Sequence, residues 1–354
     1  MSLGLVYDSE YLDHEHTPTH PERKERLQYT MDQLTEEGVL ADPSVDVVSP
    51  SPATAAMIER VHTDGYLERL RSMSASGSGM LSVDTHISAQ TWAVAKLAAG
   101  GVAAGLEMVA DGRYDASFVM ARPGGHHAFA DDAHGFCYLN NTAVGIRHLQ
   151  ATTDVDRVLL WDWDAHHGDG TQSLFYDDPS VLVMSTHQDG RTLFPGTGDE
   201  RDVGEGAGEG YNVNVPLPPK TGDDGYERVV EAVFEPIAEQ FDPDMVFIEA
   251  GQDNHFTDPI TDLGVTAQGY VTLMEHAVDA AERLTGGDIV ASLAGGYGIE
   301  GGLPYTNLAV IATLLGLDTS AIREPAGYDA PSYEPDVEDV IRRVTRVQSD
   351  YWDL

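Results

Sequence analysis

Short, nearly continuous apolar runs alternate along the chain with longer stretches of helical periodicity. The runs at 3–7, 45–48, 117–121, 158–162, 181–185, 245–250 and 289–293 read as strands buried on both faces, the pattern of a parallel sheet under helices. Between them, 21–37, 53–72, 89–110, 142–151, 224–240, 267–284 and 303–315 carry helical patterning. This βαβ alternation predicts an α/β fold with a mostly parallel central sheet and helices on both sides. No long Pro/Ser linker and no internal repeat interrupts it, so 1–354 is expected to form one catalytic domain. The run GEGAGEG at 204–210 reads as a flexible loop. The polar 323–354 stretch is expected to lay a peripheral helix, 336–348, on the body.

Several of these strands run straight into polar, glycine-flanked turns. The strand at 117–121 leads to Gly124-Gly125-His126-His127, and that at 158–162 leads to Asp162-Trp163-Asp164-Ala165-His166-His167. The strand at 181–185 leads to Ser185-Thr186-His187, that at 245–250 to Gly251-Gln252-Asp253, and that at 289–293 to Gly295-Gly296-Tyr297. In open parallel sheets ligands bind outside the carboxyl ends of the strands, so these turns are expected to share one crevice. Period-two alternation places Asp162, Asp164 and His166 on one side of an extended segment. Two carboxylates and an imidazole converging there call for a cation. The bland reading is a solvated acidic turn; a third acid from another strand end, Asp253, favours metal. Three protein ligands with open positions is the pattern of catalytic zinc, while a carboxylate-rich N/O set also suits Fe(II) or Mn(II). His126 and His127, on a glycine-rich loop, can both face that pocket, with Asp162 and Asp169 as partners that orient them for acid–base work. Tyr297 is either a packed turn residue or a phenol aimed at a polarised carbonyl.

Composition narrows the partners. The chain has 59 acidic and 20 basic residues, a formal net charge of −39 and only three lysines, Lys24, Lys96 and Lys220. Such a surface is not expected to bind nucleic acid or anionic membranes. Hydrophobic residues at 42% and dispersed aromatics at 8% argue for a core rather than disorder. Self-repulsion on this scale is screened by concentrated salt, which points to a salt-rich cytoplasm. Cys137 is the only cysteine, so no disulfide forms within the chain. The acidic N-terminus is unlike a signal peptide, and the most apolar stretch, 308–317, is too short for a membrane helix. A soluble cytoplasmic protein is expected.

The ordered segments RPGGHHA (122–128), HGFCYLNN (134–141), DWDAHHGDGTQ (162–172), FPGTG (194–198) and LAGGYG (293–298) closely resemble the zinc-dependent histone deacetylase superfamily. That superfamily includes histone deacetylase-like amidohydrolases, acetylpolyamine amidohydrolases and acetoin-utilisation proteins. HPERKER (20–26) and VHTDGYL (61–67) look like its N-terminal segments, and the similarity covers roughly 20–316. It implies an arginase-like α/β fold with a sheet of about eight strands, and a metal-dependent deacetylase acting on acetyl-lysine or a similar acylated amine. By the resemblance, Asp164, His166 and Asp253 hold zinc. His127 with Asp169 is the general base, and His126 with Asp162 assists. Tyr297 polarises the carbonyl, Phe136 and Phe194 wall a narrow channel next to Gly135, and Asp84 is a rim acid. Family members also bind potassium, here implied at Asp162, Asp164, His166, Ser185 and Thr186, with a second site near Phe175, Val181 and Tyr211. Gln252, Asn254 and His255 depart from the family's turn, and His255 is a candidate contact for substrate or metal. His14, His16 and His20 read as an exposed or rim segment rather than a second metal site. Two other enzyme readings stand beside this one, an acetylpolyamine amidohydrolase and a dimanganese ureohydrolase. A non-enzymatic reading is a quiet acyl-lysine-binding or regulatory protein. Oligomeric state is not legible.

Overall fold

The structure, a computed structural model, describes residues 1–17 and 19–354. Among the described residues ten strands form: β1 (Leu3–Val6), β2 (Val45–Val48), β3 (Ser78–Met80), β4 (His86–Ser88), β5 (Ala116–Val119), β6 (Val158–Asp162), β7 (Val181–Gln188), β8 (Asn212–Leu217), β9 (Met245–Ala250) and β10 (Ile289–Leu293). Eight of them make one sheet in the order β2-β1-β5-β10-β9-β6-β7-β8. Every pairing in it is parallel. The remaining two, β3 and β4, form an antiparallel hairpin. All residues of β1 and of β5 through β10 are buried, so helices cover both faces. That is why these strands read as unbroken apolar runs rather than alternating ones. Parallel pairing also sends every carboxyl end to the same edge, where the polar turns meet.

Several expectations change at the level of elements. The helix expected over 53–72 is broken into Ala55–Ile58 and Asp64–Ala75. Thr63 caps the second piece, its hydroxyl accepting from Tyr66 N. The break frees His62 to accept from the Asn140 backbone N–H (3.0 Å) and to sit 2.9 Å from Phe129 O. Strand β8, the helix Asp169–Phe175 and the β3–β4 hairpin were not legible in the pattern. The helix Thr91–Ala110, not the 308–317 stretch singled out from the sequence, is by length and composition long and apolar enough to cross a membrane. Here it packs on β1, β5 and β10 and against the helix Asn141–Thr152, with most of its residues buried. The C-terminal helix spans Glu338–Gln348 and lies on β8.

Candidate active site

Beyond Asp162 the chain leaves β6 and bends at Ala165 and His166, where the His166 N–H donates back to Asp164 Oδ1 at 2.9 Å. Trp161 and Trp163 turn into the core, their rings edge to face at 5.2 Å, while Asp162, Asp164 and His166 face the other way. Asp253, just past β9, accepts the Ala165 N–H at 2.8 Å. His166 Nδ1 lies 3.1 Å from Asp164 Oδ1 and 2.9 Å from Asp253 Oδ2. One donor atom from each of these three residues lies within 4.8 Å of the others, and all three residues are buried. Glycine makes this approach possible. A Cβ on Gly295 would stand 2.4 Å from Asp253 Oδ2, and one on Gly251 would stand 2.3 Å from Asp164 Oδ2. The Gly295 N–H donates to Asp164 at 2.6 Å.

The electrostatics of this cluster are unresolved by its own members. Burial pushes Asp253 up to about 6, reinforced by the Asp164 charge. Burial also lifts Glu249, which faces Asp162, to about 8. His166 is raised to about 10: burial opposes its charge, but Asp164 and Asp253 outweigh burial. A single Nδ1 facing two carboxylates can donate only one proton. The donor set therefore fits a divalent cation held by Asp164, His166 and Asp253.

The adjacent histidines have opposite characters. His126 Nδ1 lies 3.1 Å from Asp162 Oδ2, and His127 Nδ1 lies 2.8 Å from Asp169 Oδ1. Burial works against a charge on His126, yet Asp164 and Asp162 raise it well above the usual histidine range. Burial and the neighbouring His126 charge lower His127 to about 3, overriding Asp169. One imidazole thus favours the cation and its neighbour the neutral base.

Around them, Asp84, His127, Gly135, Phe136, His166, Phe194 and Tyr297 line one cavity of about 280 Å³. Phe136 stands edge-on to Tyr297 at 5.8 Å, and Phe194 edge-on to His127 at 5.3 Å. Phe136 has a left-handed backbone, φ 66°, an uncommon state for a side chain of that size. Its N–H donates to Thr85 Oγ1 at 3.1 Å, while Gly135 N–H donates to Asp84 Oδ1 at 3.3 Å. The β3–β4 hairpin thus anchors the wall. Ser185 lies opposite Asp162 in the β6–β7 register, so Asp162, Asp164, His166, Ser185 and Thr186 gather at one edge. Phe175, Val181 and Tyr211 lie towards the other end of β7.

Sequence reasoning gave no role to several residues at this site. His134 Nε2 lies 2.8 Å from Asp169 Oδ2, so His127 and His134 share one carboxylate. Its signal was its place at the head of HGFCYLNN. The Arg26 guanidinium holds the Gly296 carbonyl at 2.6 Å and stacks 4.9 Å from the Tyr297 ring. Glu22, buried, pairs with both Arg26 and Arg122. Asp258 accepts the Tyr297 N–H at 2.7 Å, and burial raises it to about 7 with the Asp253 charge adding. By contrast, His255 turns away from the cavity. Its ring binds Thr257 Oγ1 (2.8 Å) and Glu324 (3.2 Å), which removes it as a substrate or metal contact. Gln252 points to Asn307, and Asn254 to the Trp163 carbonyl.

Residues 20–314 match the family model described as the histone deacetylase domain. The probable deacetylase of Archaeoglobus fulgidus is 47% identical over 99% of this chain and 99% of its own. The histone deacetylase-like amidohydrolase of Pseudomonas aeruginosa is 38% identical over 86% of this chain and 78% of its own. The crystal structure of an HDA15 HD domain superposes with a TM-score of 0.88 at 32% identity, covering 99% of this chain and 96% of that one. With the fold shared end to end and the family model spanning most of its length, the chain belongs to the histone deacetylase family of deacetylases and amidohydrolases.

Proposed function

We propose that the chain is a zinc-dependent deacetylase that hydrolyses the acetyl amide of acetyl-lysine, or of a similar acylated amine, to free amine and acetate. The observation that carries this is the meeting of the Asp164–His166–Asp253 cluster, a neutral His127 and Tyr297 in one phenylalanine-walled cavity. When bound by that cluster, the metal supplies a Lewis acid that polarises the acyl oxygen and acidifies water. His127, its Nδ1 held by Asp169, is placed to take a proton from the attacking water. The Tyr297 hydroxyl donates to the acyl oxygen as negative charge develops there. Burial raises that phenol well above its usual range, so it stays protonated and able to donate. His126, paired with Asp162, stabilises the developing charge, and the histidine pair returns a proton to the leaving amine. Asp84, at the hairpin rim, is suited to hold the substrate's backbone or a cationic amine, and Phe136 and Phe194 to flank its alkyl chain.

On the same footing we propose a cytoplasmic setting of high salt, with potassium at the Asp162–Ser185 edge. The test is one preparation of the full chain in molar KCl. Bound metal is quantified, and acetyl-lysine peptide is compared with acetylputrescine, with and without chelator, at falling KCl. Chelator-sensitive turnover of the peptide, and stability that rises with KCl, are expected. Preference for acetylputrescine would move the reading to a polyamine amidohydrolase. No hydrolysis of any acyl-amine by metal-loaded protein would leave a binding protein.

A further inference from the structure

The segment after β1 and the β3–β4 hairpin bring a second group of imidazoles together at the mouth of the cavity. One ring nitrogen from each of His16, His20 and His86 lies within 4.8 Å of the others. The His16 side chain is fully buried. Its Nδ1, and the Nδ1 of His86, are shut off from solvent and have no hydrogen-bond partner among the described residues. Buried polar atoms in native folds are almost always paired, so two orphans in one cluster point to something that binds them. The far nitrogen of His16 is already spoken for: Nε2 lies 3.0 Å from Glu22 Oε2. Metal-ligating histidines show this arrangement, a carboxylate fixing one ring nitrogen while the other carries the ion. Glu22 is itself locked by Arg122 Nε at 2.7 Å and Arg26 at 3.2 Å, so the His16 ring is set by a rigid support. His20 Nδ1 accepts the Glu22 N–H at 3.1 Å, which leaves its Nε2 for an ion.

We propose that His16, His20 and His86 bind a second divalent transition-metal ion of the zinc class, distinct from the Asp164–His166–Asp253 cluster. Three imidazoles without a carboxylate at the ion favour zinc, nickel or copper over magnesium or calcium. The ion has a structural task. His16 and His20 come from the N-terminal segment and His86 from β4, so binding ties the two together. His16 and His20 stack at 3.9 Å, His20 stands edge-on to Phe136 at 4.5 Å, and Phe136 touches Tyr297. The tie therefore braces one wall of the cavity from outside.

Metal stoichiometry and anomalous diffraction test this on the full chain. Protein is loaded with zinc, desalted, and measured by elemental analysis as wild type, as Asp164→Ala/Asp253→Ala, and as His16→Ala/His86→Ala. About two ions per chain are expected in the wild type and about one in each double variant. A zinc anomalous peak among His16, His20 and His86 supports the site even if the histidine variant does not fold. The proposal is overturned if Asp164→Ala/Asp253→Ala protein holds no zinc, or if the only anomalous peak lies at Asp164, His166 and Asp253.

Discussion

Two of the cavities on this molecule differ in how their charges are met, and the larger one is not where the candidate site lies. The larger, about 600 Å³, lies between the turn after β7 and the C-terminal helix. There three of the four lining carboxylates, all but Asp202, have a guanidinium: Arg191 Nε sits 2.9 Å from Asp189, Arg201 Nε 2.7 Å from Asp199, and Arg343 Nε 2.8 Å from Glu200. The smaller cavity has no such balance. Beneath its lining residue His166 lie Asp164 and Asp253, with Asp162 and Asp169 near by, and among the described residues the side-chain partners of all four are imidazoles, not guanidinium or ammonium groups. The difference teaches that volume is a weak marker. Buried charge that its neighbours cannot neutralise is the strong one, because it persists only where a ligand or a reaction makes use of it.

The comparison breaks first at Tyr297 and His127. On the proposed mechanism Tyr297→Phe removes one donor to the acyl oxygen, for which a loss of about 10²–10³ in kcat is expected. On the same mechanism His127→Ala removes the base, at about 10²–10⁴. Steady-state kinetics on an acetyl-lysine peptide read both, with circular dichroism as the check on fold. Turnover within a few-fold of wild type in Tyr297→Phe would separate the unbalanced charge from the chemistry.

A smaller effect sharpens the picture at Asp169. His127 and His134 each sit 2.8 Å from one of its oxygens. Burial opposes a charge on His134, but Asp169 raises it above the usual range, so near neutral pH it draws on the same carboxylate. In His134→Ala the whole Asp169 charge falls to His127. That favours protonated His127, so the base is lost at higher pH and the acid limb of the kcat/KM profile moves upward. The drop in kcat is expected to stay within about tenfold, the scale of one hydrogen bond. An acid limb that does not move would show that Asp169 is not shared in solution.

What the sequence made legible follows the range of the interactions. The Asp162–Asp164–His166 spacing is local in sequence, so its convergence can be read without knowing the fold even though the chain bends at Ala165 and His166. Asp253 needed only the rule that parallel strands end at one edge. The pairing of Glu22 with Arg122 was out of reach because the two lie 100 residues apart, and so was the Arg26 contact with Gly296, which spans 270. Strand β8 was hidden for another reason. Its Asn212 and Asn214 look like turn residues, yet both are buried and donate to Gln172 Oε1 at 2.8 Å, a pairing only tertiary structure supplies. The helix break before Thr63 was masked in the same way, by a continuous apolar pattern across a cap.

The weakest expected effect is the most direct check on the comparison itself. Arg343→Ala strips one guanidinium from the larger cavity and leaves Glu200 without its partner. That arginine side chain is substantially exposed, so the pair contributes about 0–1 kcal/mol and is screened further by salt. The melting temperature is therefore expected to fall by no more than a few degrees, and less in molar KCl than in dilute buffer. Turnover on the acetyl-lysine peptide is expected to stay within about twofold, since Arg343 touches none of the residues lining the smaller cavity. If kcat instead falls as far as in His134→Ala, the balanced charges of the larger cavity are coupled to the reaction. Self-neutralisation would then no longer distinguish a silent polar cavity from a working one.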